Sequence, residues 1–256
     1  MQIAGIIPAR YASTRFPGKP LVQINGLSMI RRVYEQAAKA ESLAAVIVAT
    51  DDTRIYDHVR DFGGNVMMTS AHHSSGTDRC GEVVNLLKQQ LSAVPYDVVV
   101  NIQGDEPFIK PSQINDLAAC FTDPQVDIAT MATKITDKKL IFDSNAVKLV
   151  VGVDARALYF SRNPIPFLRN YPQDEWIQQH DFLKHLGIYA YRTNVLDEII
   201  HLPVSVLEKA ESLEQLRWIE HGYKIKVVLT EFENIAIDTP NDLAKLEINL
   251  LRESKP

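Results

Sequence analysis

Basic and hydroxyl side chains follow the first apolar run of the chain. They are Arg10, Ser13, Arg15 and Lys19. No aspartate or glutamate occurs before Glu35, although the formal net charge of the whole chain is −5. Arginine and lysine bind phosphate oxygens well, and a loop between a strand and a helix adds backbone N–H donors. The pattern favours a polyphosphate site, with an ordinary solvated loop as the alternative.

Two common phosphate motifs do not fit this loop. Gly18-Lys19 is followed by Pro20, so no serine or threonine stands where a P-loop carries its magnesium-binding hydroxyl. The dinucleotide fingerprint G-x-G-x-x-G is also absent from the sequence. Any phosphate site here must therefore obtain its magnesium-binding acids from elsewhere in the chain.

Aspartates follow two later apolar runs. Asp105 comes after segment 97–103 and Gly104, and Asp238 comes after Ile237. Open α/β sheets bind ligands at the carboxyl ends of their parallel strands, and carboxylate oxygens are preferred magnesium ligands. Both aspartates are therefore candidate Mg²⁺ ligands. Capping of the following helix is the alternative for each of them.

His185 and Tyr189 lie in a segment with the character of a strand. Their even spacing places both side chains on one face of that strand. This face could line a polar substrate cavity, or it could be an ordinary packed sheet face.

Composition limits the possible classes of protein. The chain has 256 residues with 46% hydrophobic and 23% charged content, which suits one large globular domain. An acidic balance argues against general nucleic-acid binding. Cys80 and Cys120 form no C-x-x-C pair, so we expect reduced thiols without zinc. No apolar run is long enough for a membrane span, and we expect a cytoplasmic protein.

The first half of the chain alternates strand and helix patterns. This rhythm predicts a mostly parallel, doubly wound α/β sheet flanked by helices, which is a Rossmann-like arrangement. The predicted elements are strands at Ile3–Pro8, Ala45–Thr50, Val66–Met68 and Asp97–Gln103, and helices at Ser28–Ala40, Thr53–Phe62 and from Ser75 onward.

The second half has strand patterns without long helices between them. We therefore predict a single domain over 1–256, with an antiparallel insertion at roughly 126–195 that forms a smaller lobe. The predicted elements are strands at Ile128–Ile135, Ala146–Val153, Leu158–Ser161, Leu186–Arg192 and Ile225–Leu229, a long loop at Asn163–Asp181, and helices at Glu211–His221 and Asn241–Leu250.

Several motifs together resemble one enzyme family, the 3-deoxy-manno-octulosonate (Kdo) cytidylyltransferases or CMP-Kdo synthetases. The resemblance runs in order from about residue 3 to 245. The motifs are IPARYASTRFPGKPL (7–21), ATDD (49–52), SGTDR (75–79), NIQGDEP (101–107), NAVK (145–148), YFSR (159–162), HLGIY (185–189), LEQLR (213–217) and DTP (238–240).

The resemblance implies a nucleotidyltransferase fold and a CTP-dependent reaction. In that reaction the anomeric hydroxyl of Kdo attacks the α-phosphorus of CTP, giving CMP-Kdo and pyrophosphate for lipopolysaccharide biosynthesis. Magnesium is the implied cofactor, and the family is homodimeric. A related acidic sugar, 8-amino-Kdo or sialic acid, is the alternative substrate, because the segment from Asn163 onward matches the family only loosely.

The resemblance also implies roles for individual residues. Arg10, Lys19 and Asp105 are the implied catalytic residues, and Asp105 and Asp238 the implied magnesium ligands. The nucleotide would be held by Arg10, Ser13, Arg15, Lys19, Ser75, Gly76, Arg79 and Gln103. The sugar would be bound by Arg162, His185, Tyr189, Glu214 and Gln215, with the dimer contact near the same insertion.

Overall fold

The structure is a computed structural model that describes residues 1–13, 16–91, 95–233, 236–237 and 239–244. The chain divides into two compact units. Unit 1 contains Met1–Asn115 together with the described residues after 233, and unit 2 contains Asp116–Glu233. No helix within the described ranges is both long enough and apolar enough to cross a bilayer.

Unit 1 is built on a parallel sheet, as the sequence predicts. The strand order is β6-β1-β4-β5, and all three pairings are parallel. Its elements are β1 (Ile3–Ala9), β2 (Gln23–Ile24), β3 (Leu27–Ser28), α1 (Met29–Ala37), β4 (Ala45–Thr50), α2 (Thr53–Asp61), β5 (Val66–Met68), α3 (Gly76–Leu91), β6 (Val98–Asn101) and the start of α4 (Pro111–Ala119). Residues 240–244 are also helical, and the rest of the helix predicted at Asn241–Leu250 lies outside the described residues.

β1, β4 and β6 are covered on both faces, which explains their nearly continuous apolar sequences. β6 is buried along its whole length, and β1 is buried at every position except Pro8. Side-chain caps start the helices between the strands. The Ser28 hydroxyl accepts from the N–H of Arg31, and the Asp52 carboxylate accepts from the N–H of Arg54.

Unit 2 contains the predicted antiparallel strands. β10 is antiparallel to β7 and β8, β8 is antiparallel to β9, and β11 is parallel to β7. Its further elements are β7 (Ile128–Lys134), α5 (Lys138–Phe142), β8 (Lys148–Val151), β9 (Ala157–Ser161), α6 (Trp176–Gln179), β10 (Leu183–Arg192), α7 (Thr193–Ile199), α8 (Val206–Glu211), α9 (Glu214–Glu220) and β11 (Ile225–Leu229).

Unit 2 differs from the sequence prediction in several places, and its helices α5, α7 and α8 are not among the predicted elements. The predicted loop at Asn163–Asp181 contains α6, whose Trp176 is buried and stacks on Phe182 at 5.9 Å between ring centroids. This tertiary contact orders a segment too polar to indicate a helix by itself. β10 begins at Leu183, earlier than predicted, because its first residues pair with both β7 and β8.

Candidate active site

The loop after β1 turns back so that Lys19 lies at the carboxyl end of that strand. The turn depends on Gly18, which has a φ of 71°. A Cβ at Gly18 would also lie 3.1 Å from the Tyr11 ring. The N–H of Gly18 donates to the Tyr11 carbonyl at 2.9 Å, which closes the loop. A glycine is therefore needed where the basic residues turn toward the sheet edge.

Asp105 approaches the same edge because Gly104 lies against the end of β1. A Cβ at Gly104 would stand 2.7 Å from the Pro8 carbonyl oxygen, closer than real Cβ atoms come. The Lys19 ammonium contacts the Asp105 carboxylate at 2.7 Å, so the two groups form an ion pair at the edge of the sheet. The backbone carbonyl of Asp105 accepts from the N–H of Ile237 at 3.0 Å.

These elements enclose a polar cavity of about 210 Å³. Its lining includes every described residue that the sequence assigns to nucleotide or metal binding. Those residues are Arg10, Ser13, Lys19, Ser75, Gly76, Arg79, Gln103 and Asp105. Arg15 and Asp238, the other two such residues, lie outside the described part of the chain.

The first turn of α3 forms one wall of this cavity. Ser75 and Gly76 line it, and the Ser75 hydroxyl accepts from the N–H of Asp78 at 3.1 Å. A Cβ at Gly76 would lie 3.3 Å from the Pro8 ring, so the helix start packs closely against β1. The first N–H groups of a helix attract anions, and α3 has 16 residues. This wall therefore suits phosphate or hydroxyl oxygens.

Arg79 has a supporting position in the cavity wall. Its guanidinium donates to the Thr69 hydroxyl at 2.5 Å and to the Asp51 carboxylate at 3.1 Å. Only 3% of the residue is exposed. These contacts hold the guanidinium in one orientation at the cavity surface, and the Asp51 carboxylate offsets part of its positive charge.

The cavity wall also contains a histidine for which the sequence predicts no role there. His73 lines the cavity and forms a hydrogen bond with the Glu82 carboxylate, which also accepts from the N–H of Ser70 at 2.7 Å. His73 precedes α3 and Glu82 belongs to it, and their spacing matches no motif. The ring therefore becomes recognisable as part of the cavity only in three dimensions.

Asp105, the one acid among the described residues that line the cavity, suits a magnesium ion that is shared with a ligand. The described residues hold no group of three or more His, Cys, Asp or Glu side chains that could bind a metal by themselves. Magnesium on polyphosphates, however, usually takes only one or two protein carboxylates, and phosphate oxygens and water complete its shell. The Asp105 carboxylate at the cavity edge satisfies that requirement.

In unit 2, His185 and Tyr189 are neighbours on β10, as their spacing predicts. Their ring centroids are 5.3 Å apart. A bulge lies between them, because Leu186 pairs with Met131 whereas Tyr189 pairs with Thr130. Four residues of β10 thus match two of β7, an even difference that keeps both side chains on one face.

The remaining residues assigned to the sugar are on or near α9. Tyr189 packs edge-on against Trp218 of α9 at 5.1 Å. Gln215 is buried in the same helix, and Glu214 is close enough to influence Tyr189 electrostatically. His185, Tyr189, Glu214 and Gln215 are therefore in one region of unit 2.

Arg162 is anchored to backbone carbonyl groups. Its guanidinium donates to the carbonyls of Glu211 at 2.7 Å, Ser144 at 2.9 Å and Ser212 at 3.2 Å. Two of these carbonyls, of Glu211 and Ser212, directly precede α9, so the position of Arg162 is compatible with the predicted sugar site. These contacts also indicate that the side chain orders the backbone around it.

The His185 and Tyr189 rings of β10 are held in their neutral forms. Desolvation lowers the pKa of His185 from 6.5 to about 3. Burial raises the pKa of Tyr189 well above 10, and the negative charge of Glu214 adds to that effect. At neutral pH this surface therefore presents an uncharged imidazole and an uncharged phenol.

Neutral His185 makes the stability of the protein depend on pH. The unfolded chain binds a proton on this histidine near pH 6.5 and the folded chain only near pH 3, so stability falls as pH decreases below about 6.5. We expect the free energy of unfolding of His185→Asn to fall by about 1 kcal/mol less than that of the parent protein for each pH unit below 6.5. Urea unfolding at pH 6.5 and at about pH 5 measures the difference.

The exposed His201 provides the control for this measurement. His201→Asn should keep the pH slope of the parent protein. An equal slope in the parent and in His185→Asn would contradict a neutral buried imidazole.

The parallel sheet, the cationic loop after its first strand and the acid after its central strand define a nucleotidyltransferase. The family model "Cytidylyltransferase" matches residues 4–225. The chain is 53% identical over 249 residues to the 3-deoxy-manno-octulosonate cytidylyltransferase of Parabacteroides distasonis, covering 96% of each chain. It is 54% identical over 250 residues to that of Phocaeicola vulgatus, with the same coverage.

A solved structure gives the same result. CMP:2-keto-3-deoxy-manno-octonic acid synthetase complexed with CTP matches with a TM-score of 0.89 and 41% identity, over 99% of this chain and 100% of that one. The chain belongs to the 3-deoxy-manno-octulosonate cytidylyltransferase family.

Proposed function

We propose that this enzyme transfers CMP from CTP to the anomeric hydroxyl of Kdo, forming CMP-Kdo for lipopolysaccharide biosynthesis. The hydroxyl oxygen forms a bond to the α-phosphorus, the bond between the α- and β-phosphates breaks, and pyrophosphate leaves. The proposal rests mainly on one observation: the loop after β1, the start of α3 and Asp105 all line the same cavity. The relatives that catalyse this reaction support it.

The basic residues of the cavity bind the triphosphate in this proposal. Arg10, Ser13 and Lys19 hold the phosphates, with Arg15 near them. The nucleoside is held by Ser75, Gly76, Arg79 and Gln103. Phosphoryl transfer depends mainly on positioning the reactants and on neutralising charge, and both tasks suit fixed cations and helix N–H groups.

Asp105 would bind magnesium, with Asp238 as the proposed second carboxylate. When bound, the metal neutralises phosphate charge and lowers the pKa of the attacking hydroxyl. Lys19 contributes a further positive charge beside Asp105. A lysine at this position can stabilise the pyrophosphate as it leaves, because the negative charge develops there.

The sugar binds to unit 2 in this proposal, through Arg162, His185, Tyr189, Glu214 and Gln215. In this proposal the enzyme is cytoplasmic and its chain forms one domain. The insertion at roughly 126–195 also carries the contact between the two subunits of a homodimer. The exposed apolar side chains of Val153 and Leu158, in and beside the β8–β9 turn, support such a contact.

Pyrophosphate release tests both substrates. We expect the purified enzyme with magnesium to use CTP with Kdo at least about a hundredfold more efficiently than ATP, GTP or UTP with Kdo. The same assay with CTP and either 8-amino-Kdo or sialic acid distinguishes the sugars, and CTP without a sugar gives the background. Equal rates with all four nucleotides, or preference for another sugar, would contradict the proposal.

A further inference from the structure

The bulge in β10 directs two backbone carbonyls toward one hydroxyl of β7. The fully buried Thr130 has its Oγ1 atom 2.8 Å from the carbonyl oxygen of Ile188 and 3.3 Å from that of Leu186. The same Oγ1 lies 3.0 Å from Nε2 of His185. One hydroxyl therefore contacts two carbonyl acceptors and one ring nitrogen.

The proton count at Thr130 decides how His185 is protonated. A hydroxyl has one hydrogen to donate, and the Ile188 carbonyl oxygen can only accept it. If Thr130 instead donated to His185, two oxygens without a hydrogen between them would remain 2.8 Å apart. Thr130 therefore donates to Ile188, and the Nε2–H of His185 donates to Thr130.

The other ring nitrogen of His185 is then a bare acceptor. Its Nδ1 forms no hydrogen bond with any residue in the described ranges. Unlike the Tyr189 hydroxyl, this atom is not fully buried. Solvent or a ligand can therefore reach Nδ1. The low pKa of the ring agrees with this neutral state.

The ring of Tyr189 lies beside this acceptor, 5.3 Å from the His185 ring between centroids. Its hydroxyl is fully buried and makes no hydrogen bond of good geometry with the described residues, although the nearby Thr130 hydroxyl slightly opposes the rise in its pKa. The bare Nδ1 suits a hydroxyl group of a sugar, which can donate to it. A carboxylate at the same place would be poorly served, because it can only accept.

We propose that Thr130 is a positioning residue that fixes His185 with its proton on Nε2, so that Nδ1 accepts a hydrogen bond from a hydroxyl group of the acidic sugar. This inference rests on the proposed function, since it assumes that the sugar binds at His185. It adds a residue outside the substrate contacts and specifies the direction of one hydrogen bond.

Nitrogen NMR of the protein labelled with ¹⁵N-histidine tests the tautomer without any substrate. We expect the His185 signals, assigned by their loss in His185→Asn, to show a protonated Nε2 and a bare Nδ1. Thr130→Ser should preserve this state. Thr130→Val, which keeps the shape of the side chain without its hydroxyl, should give a mixture of tautomers.

Steady-state kinetics test the consequence for binding. Thr130→Val should raise the KM for Kdo about two- to tenfold, in proportion to the fraction of molecules whose Nδ1 becomes protonated, with the KM for CTP unchanged. Thr130→Ser should remain close to the parent enzyme. Thr133→Val removes a hydroxyl from another buried position of β7 and should change neither constant.

The outcomes separate this inference from the proposed function. A His185 protonated on Nδ1 in the parent protein overturns the inference even if Kdo is the substrate. An unchanged KM for Kdo in folded Thr130→Val also overturns it. If the parent protein does not form CMP-Kdo, the proposed function fails, and the NMR spectra still decide the tautomer.

Discussion

Asp105→Asn is expected to lower kcat by about a thousandfold or more while the protein still binds CTP. The amide keeps the shape of the side chain and the fit of Gly104 against Pro8, so the cavity should remain intact. It removes the negative charge that a magnesium ion requires and the ionic partner of Lys19. Losses of this size are typical when a group that stabilises transition-state charge is removed.

Two measurements are needed to establish this role. Pyrophosphate release gives kcat, and calorimetric titration with CTP in the absence of magnesium gives the affinity of the cavity itself. Asp57→Asn, at an exposed position of α2, is the matched control and should behave as the parent enzyme. An Asp105→Asn variant with near-normal kcat would exclude Asp105 as a metal ligand.

Lys148→Met is expected to destabilise the protein by about 3 kcal/mol. The ammonium of Lys148 donates to the backbone carbonyls of Asp143 at 2.8 Å, Ala146 at 2.6 Å and Arg162 at 2.5 Å. Burial lowers the pKa of Lys148, so part of this bonding energy compensates for desolvation of the charge. Methionine fills a similar volume but leaves these carbonyls without that donor.

Lys148→Met should also weaken binding of the sugar. Because Lys148 holds the backbone of Arg162, we expect a higher KM for Kdo in those molecules that remain folded. Urea unfolding measures the stability, and Lys139→Met, at an exposed position of α5, is the control. Equal stability of Lys148→Met and the parent protein would contradict the structural role of this ammonium.

The parallel half of the fold could be predicted well because its signals are local. β4 (Ala45–Thr50) and β5 (Val66–Met68) have the predicted boundaries, since each is an apolar run that ends at polar residues. Gly104 followed by Asp105 marked the carboxyl end of the central strand. The cavity residues could be grouped in advance because parallel strands end at one edge of the sheet.

Other features depend on contacts that the sequence pattern does not reveal. The bulge in β10 leaves the alternation of His185 and Tyr189 intact, so the pattern does not indicate it. The role of Thr130 follows only from carbonyls that this bulge exposes. The extent of the Lys148 bonding could not be predicted either, because its three acceptors are backbone atoms.

One missed element did have a local signal. Ser205 and Glu208 form a capping box at the start of α8, with the Ser205 hydroxyl accepting from the N–H of Glu208. The spacing Ser-x-x-Glu predicts such a helix start. The helix was overlooked because it has no buried residues and therefore no apolar periodicity.

The path of the chain has a consequence for its synthesis. Unit 1 is interrupted by residues 116–233, and Ile237 then completes a buried cluster with Ile24 and Met29. Ile237 also donates its N–H to the carbonyl of Asp105. A ribosome therefore releases the whole of unit 2 before the nascent chain can finish unit 1. An amino-terminal fragment ending at residue 115 would lack both this cluster and the backbone support of its own magnesium-binding candidate.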